Sequence, residues 1–156
     1  MNATVSLRDI VNELEMLSEE RTVFLNKRTG ELIALSEDEL SAAEEGADLA
    51  NYPEWQQELI VRAREVAESD DCLHFPSQFD INEYKIMEDF CSSIEDQRLS
   101  DTLTRAIRGQ GAFRRFKDQL RSFGIEEDWY GFRTSALETI AISWLEENHI
   151  PYKREA

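Results

Sequence analysis

The sequence predicts an α+β domain, mainly helical, in which a small antiparallel β-hairpin or three-stranded sheet packs on about six helices. Three observations predict it. Two short apolar runs flank a Lys27-Arg-Thr-Gly30 turn near the N-terminus, apolar residues repeat at helical spacing along most of the remaining chain, and capping signatures punctuate those repeats. At 156 residues, 41% hydrophobic and 32% charged, the composition is that of an ordinary globular domain. A chain of this length buries roughly 70% of the surface its unfolded form exposes, so it needs no disulfide or metal to hold together. Residues 1–156 read as a single globular domain, with no internal repeat and no low-complexity linker.

Each element has its own signal. Ser6-Leu-Arg-Asp9 is a capping arrangement, after which Leu7, Ile10, Val11, Leu14 and Leu17 share one helical face. Thr22-Val-Phe-Leu-Asn26 and Glu31-Leu-Ile-Ala-Leu35 are the two arms of a hairpin, with Gly30 suited to a positive φ in the turn. Ser36-Glu-Asp-Glu39 is a capping box that opens a very acidic helix, and Gly46 ends it. Pro53 sits at a permitted first-turn position ahead of a stripe of Trp55, Leu59, Ile60, Ala63 and Val66. Ser69-Asp-Asp71 breaks that helix. The apolar run Cys72-Leu-His-Phe75 before Pro76 is a candidate third strand, welcome because a lone hairpin is marginally stable in water.

Asp80-Ile-Asn-Glu83 reads as another capping box, followed by Tyr84, Ile86, Met87, Phe90 and Cys91 in a helix running to about Ser93. Asp96 opens a further helix with Leu99, Leu103, Ala106 and Ile107, stopped at Gly109. Phe113, Phe116, Leu120 and Phe123 then line one face of a helix that Gly124 caps. Glu126, Glu127 and Asp128 suit the positive end of a last helix, which is apolar over more than half its circumference and is therefore expected at the centre. Trp129, Ile140 and Trp144 on that helix are expected to be largely buried, and Pro151 ends it.

Charge points to a working surface. The formal net charge is -16, from 33 acids against 17 bases, which repels nucleic acid and anionic lipid at long range. Between Arg98 and Arg121, however, seven bases face two acids, a local +5 that leaves -21 for the remainder. Within that segment, Gly109-Gln-Gly111 precedes a helix beginning near Arg114 and Arg115. Free amides at a helix start, close backbone approach through glycine, and guanidinium groups together suit a phosphate or carboxylate. The candidate ligand or partner residues are thus Arg108, Gly109, Gly111, Arg114, Arg115, Lys117 and Arg121. Walker and dinucleotide spacings are absent. The competing use of the same residues is architectural: Gly109 as a helix cap, Gly111 as a tight turn, and the arginines as counter-ions of the chain's own acidic helices. The expected division has Arg108 and Arg114 structural and Arg115, Lys117 and Arg121 exposed. Phe113-Arg-Arg-Phe-Lys117 and Trp129-Tyr-Gly-Phe-Arg133 also interleave rings with bases, as single-stranded RNA binders do. Helical phase assigns Phe113 and Phe116 to the core instead.

Other chemistry is poorly supplied. Glu146-Glu-Asn-His149 has the carboxylate–imidazole spacing of a di-iron bundle, which needs a second such pair, and the only other histidine is His74. Cys72, His74 and Cys91 make three ligands with no fourth at tetrahedral spacing. No Gly-x-Ser-x-Gly elbow is present. The expectation is no metal, no cofactor and no catalytic residue, with an enzyme lacking any recognisable motif as a remaining alternative. Two cysteines without a secretory segment read as reduced thiols, and no run approaches 18 apolar residues, so a cytoplasmic protein without membrane contact is expected.

The run Arg108-Gly-Gln-Gly-Ala-Phe-Arg-Arg-Phe-Lys-Asp118 belongs to a wider pattern with Phe79-Asp-Ile-Asn-Glu-Tyr-Lys-Ile-Met-Glu-Asp-Phe90, Trp129-Tyr-Gly-Phe132, Ile142-Ser-Trp-Leu-Glu-Glu-Asn148 and the hairpin Leu25-Asn-Lys-Arg-Thr-Gly-Glu-Leu-Ile33. In these stretches the chain resembles a family of uncharacterised bacterial proteins, UPF0158. The resemblance implies a bacterial, cytoplasmic, complete domain, and it carries over no activity, cofactor or catalytic residue. The functional expectation is a non-catalytic interaction or regulatory module that contacts an acidic or anionic partner through the basic helix, residues 108–121. Nucleotide or RNA phosphate binding at Arg108 to Arg115 is the alternative.

Overall fold

A computed structural model describes residues 2–154. They gather into two compact units: the residues through Ile81 together with those from Ala141 on, and Asn82–Ile140. The class is α+β, with seven α-helices, a three-stranded antiparallel sheet and a short parallel strand pair among the described residues.

In the first unit, Ser6 closes β1 (Val5–Ser6) and caps α1 (Leu7–Glu15), its hydroxyl accepting the Asp9 amide. Leu7, Ile10, Val11 and Leu14 are buried, as their spacing predicts. β2 (Arg21–Asn26) and β3 (Leu32–Ser36) form the hairpin, with Thr22 opposite Leu35 and Phe24 opposite Ile33. The turn is held by the Asn26 side chain, whose Oδ1 accepts the amides of Arg28 at 2.9 Å and Thr29 at 3.2 Å while Gly30 takes φ 78°. The third strand, β4 (Cys72–His74), pairs antiparallel with β2 and makes it the central strand. Val23, Phe24 and Leu25 are buried consecutively and not in alternation, so both faces of this strand are covered.

α2 (Glu37–Glu45) starts at the expected capping box: Ser36 receives the Glu39 amide, and Glu39 receives the Ser36 amide and hydroxyl. Gly46, at φ 67°, ends it. α3 (Glu54–Glu68) lays Ala63 and Val66 against Phe24, Ile33 and Leu35, with Leu40 and Ala43 of α2 at the edge of the cluster. Glu39 is buried and also accepts Gln56 Nε2 of α3 at 3.0 Å. Burial acting alone would raise its carboxyl; the hydrogen bonds from Ser36, Gln56 and backbone amides outweigh it and hold the group below the usual carboxylate range. Trp55 departs from expectation. It sits in the first turn of α3, ahead of the buried Ile60, Ala63 and Val66, and is 66% exposed.

The parallel pair of β1 with β5 (Tyr152–Lys153) has no periodic signal, because two residues are too few to show one. Asn2 supports it by donating to the His149 carbonyl at 3.0 Å.

The second unit comprises α4 (Glu83–Ser93), α5 (Gln97–Ala106), α6 (Ala112–Phe123) and the part of α7 (Glu126–Glu147) up to Ile140. The start of α4 differs from the expected box. Asp80 is taken by the Ser77 amide and hydroxyl, and Asn82 caps the helix by accepting the Lys85 amide at 2.9 Å. Asp96 caps α5 as expected. Phe90 is the hub of the core: its ring meets Phe116, Trp129 and Phe132 edge-on at centroid distances of 6.1, 5.4 and 5.4 Å, and Phe116 meets Trp129 at 4.9 Å. Burial raises the Cys91 thiol, and Cys91 and Cys72 are both free.

Three packing expectations are corrected. α7 buries one stripe, Trp129, Leu137, Ala141 and Leu145, and exposes Tyr130, Gly131, Thr134, Ser135 and Thr139, so it is not enclosed over most of its circumference. Of the three residues expected to be largely buried, Trp129 is fully so, whereas Ile140 and Trp144 keep partial exposure. On α6 only Phe116 and Leu120 enter the core; Phe113 and Phe123 are 52% and 47% exposed, because each lies a turn beyond the buried middle of the helix.

Candidate functional site

The α5–α6 junction is where the candidate residues gather. Gly109 and Gly111 both take left-handed backbone, φ 75° and 77°, which reverses the chain after α5 and starts α6 at a glycine N-cap. Arg115, in the first turn of α6, turns back into this reversal. Its Nε donates to the Ala106 carbonyl at 2.9 Å, and its two terminal nitrogens donate to the carbonyls of Arg108 and Gln110. The loop therefore turns three carbonyl oxygens toward a cation of its own chain. A Cβ added at Gly111 would come to 3.1 Å from Arg115 Nη1, a contact that a small shift of the exposed guanidinium relieves, so it is the positive φ that calls for glycine here.

The expected division of the arginines thus changes at three positions, Arg108, Arg114 and Arg115, although Arg115 is exposed as expected. Arg115 is the architectural one, whereas Arg108 and Arg114 are exposed and make no ion pair among the described residues. Lys117 is likewise exposed and without an ion pair. Arg121 stands 3.9 Å from Glu126 with its side chain 73% exposed, a loose contact worth little. On α6 the positions of Arg114, Lys117 and Arg121 fall at i, i+3 and i+7, one face of the helix.

Beside that face opens a cleft of about 330 Å³. Its floor is the buried trio Met87, Phe116 and Trp129, and its rim carries the half-exposed rings of Phe113 and Tyr130. Lys117, Arg133 and Glu83 supply its polar groups. Arg133 grips Glu83 in a forked pair, Nη2 donating to Oε1 at 2.5 Å and Nε lying 3.2 Å from both oxygens, with the two side chains 23% and 30% exposed. This pair ties α7 to the first turn of α4. Lys117 is left as the one cation of the cleft without an ion pair among the described residues.

Tyr130, Arg133 and Glu83 were not among the sequence candidates. Tyr130 and Arg133 had a signal, the ring-and-base alternation at 129–133, which pairs with the one at 113–117 across this cleft. Glu83 had none, since 50 residues separate it from Arg133. Elsewhere, no cluster of three or more His, Cys, Asp and Glu side chains is arranged to hold a metal ion among the described residues, and none of their helices is long and apolar enough to cross a membrane.

Residues 2–156 match the model of a family described as an uncharacterised protein family, UPF0158. No curated protein matches the chain, and no solved structure does.

Proposed function

We propose that this chain, which belongs to the uncharacterised protein family UPF0158, is a non-catalytic interaction module of the bacterial cytoplasm that contacts an acidic segment of a partner protein through α6. One observation carries the reading. In a chain of net charge -16, Arg108, Arg114 and Lys117 are exposed and have no ion pair among the described residues. Arg98 and Arg105 are exposed and without an ion pair among the described residues as well; what favours a surface for an external anion is the concentration of Arg108, Arg114, Lys117 and Arg121 at and along α6. The local balance supports it: Asn82–Ile140 holds eleven acids and nine bases, a net -2, so the remaining residues carry -14. An acidic segment approaching the second unit meets little local repulsion. The free thiols Cys72 and Cys91 agree with a reducing compartment.

Binding of the full-length protein to polyglutamate, measured at low and high salt, tests the reading. The expected result is binding that weakens as salt rises and is lost when Arg114, Lys117 and Arg121 are all replaced by Gln. Failure to bind at low salt, or undiminished binding by the triple variant, would overturn it. A pull-down repeated after nuclease treatment separates a protein partner from a nucleic acid.

A further inference from the structure

We infer that the cleft between Phe113 and Tyr130 receives one tyrosine or tryptophan side chain of the partner, flanked in the partner's sequence by acidic residues that meet the α6 cations. The inference rests on the acidic-segment reading and adds a side-chain specificity to it.

The cleft is built in advance. Phe116 and Trp129 in its floor are locked edge-on with Phe90, at 6.1 and 5.4 Å, so a ring entering it finds its apolar floor already in place. Size limits the occupant. At about 330 Å³ the cleft stands at the lower end of the roughly 300–1,000 Å³ typical of small-molecule sites, which suits one ring-sized group. The rim favours a ring over an aliphatic chain. Phe113 and Tyr130 are 52% and 53% exposed, and two large aromatics left half in water around one cleft offer edge and face contacts that a planar guest satisfies best.

The charges divide the roles of ring and acid. Inside, the pairing of Glu83 with Arg133 makes that wall locally neutral, and Lys117 on the α6 side is left as the cation that meets an acid. The paired wall and the apolar floor suit an uncharged ring, and acids beside that ring are met by Lys117. Glu83 retains acceptor positions beyond those used by Arg133, and an indole N–H or phenol O–H can donate to one, which selects tryptophan or tyrosine over phenylalanine. Outside, Lys117 lies between Arg114 and Arg121 on one helical face. At about 1.5 Å per residue the three span roughly 10 Å, the reach of acids placed close to the ring in an extended segment. A single-stranded nucleic acid needs more: sites of about four nucleotides or longer combine a backbone-tracking groove with successive stacking platforms. Here there is one ring-sized place and one short stripe of cations.

Fluorescence anisotropy with the full-length protein tests this, using a labelled peptide Gly-Glu-Asp-Trp-Asp-Glu-Gly, its Trp-to-Ser counterpart and a short oligouridylate as competitor. The tryptophan peptide should bind about tenfold or more tighter than the serine peptide, a difference of the size that anchors a recognition site. Tyr130→Ala and Phe113→Ala should each erase most of that preference with unchanged far-UV circular dichroism, since both rings are half-exposed. Equal binding of the two peptides, or a preference that survives Tyr130→Ala, overturns the inference and leaves the acidic-segment reading standing. Binding of neither peptide at low salt overturns both. Displacement by oligouridylate at concentrations below those of unlabelled peptide overturns the inference in favour of nucleic acid.

Discussion

Replacing Arg115 by Ala should destabilise the protein without impairing its binding of acidic ligands. The guanidinium donates to the carbonyls of Ala106, Arg108 and Gln110, and so closes the C-terminal end of α5 onto the first turn of α6. A hydrogen bond to a charged group contributes about 1.5–3 kcal/mol in a protected setting. Arg115 is exposed, the carbonyls it leaves can turn to water, and ordering the side chain costs up to about 2 kcal/mol of rotamer entropy. The three contacts together should therefore contribute about 1–3 kcal/mol. At roughly 2–4 °C per kcal/mol for a chain of this size, the melting temperature should fall by about 2–12 °C. Arg115→Lys should recover less than half of the loss, because one ammonium cannot fan out to carbonyls spread over five residues of chain. Circular dichroism melts of the three proteins measure this, alongside polyglutamate binding, which should change by no more than about twofold in either variant. An unchanged melt for Arg115→Ala would refute the capping role. Full rescue by lysine would show that charge matters there and geometry does not.

Trp129 packs against Phe90 and Phe116, so Trp129→Ala should cost about 3–5 kcal/mol in chemical denaturation, and clearly more than Trp144→Ala, whose ring is half-buried against Phe75 at 5.2 Å. Equal losses would contradict the burial pattern. The Glu39 carboxyl is held below its ordinary range in the folded state, so the unfolded chain binds its proton more readily, and the stability from this group is present above the ordinary carboxylate value and lost as pH falls through the lowered one. Glu39→Gln should therefore cost about 1–2 kcal/mol near neutrality, and the gap from the parent protein should shrink in acid; a gap that widens on acidification would reverse the assigned sign.

The family resemblance, carried on the 108–118 run and its companion stretches, is matched by family membership over residues 2–156. Membership brings no activity with it, so the residues themselves supply the functional proposal. They do so because the two ring-and-base stretches, 113–117 and 129–133, each contribute rings and a cation to one cleft.

What the sequence by itself determined is the set of local decisions. The hairpin turn follows from Asn26 and Gly30, the start of α2 from Ser36 and Glu39, its end from Gly46, and the buried face of α1 from the spacing of Leu7, Ile10, Val11 and Leu14. Each depends on sterics and hydrogen bonds within a few residues, which short-range pattern encodes directly. Tertiary structure alone decided which members of a periodic stripe are covered and which cations are used. Phe113 and Phe116 are identical residues one turn apart, yet only Phe116 meets the rings of Phe90 and Trp129. Arg114 and Arg115 are neighbours in sequence, yet the 100° between adjacent helical positions sends one to solvent and the other into the glycine reversal. Glu83 reaches Arg133 only through the packing of α4 and α7, and no pattern in a single chain records a pairing across 50 residues.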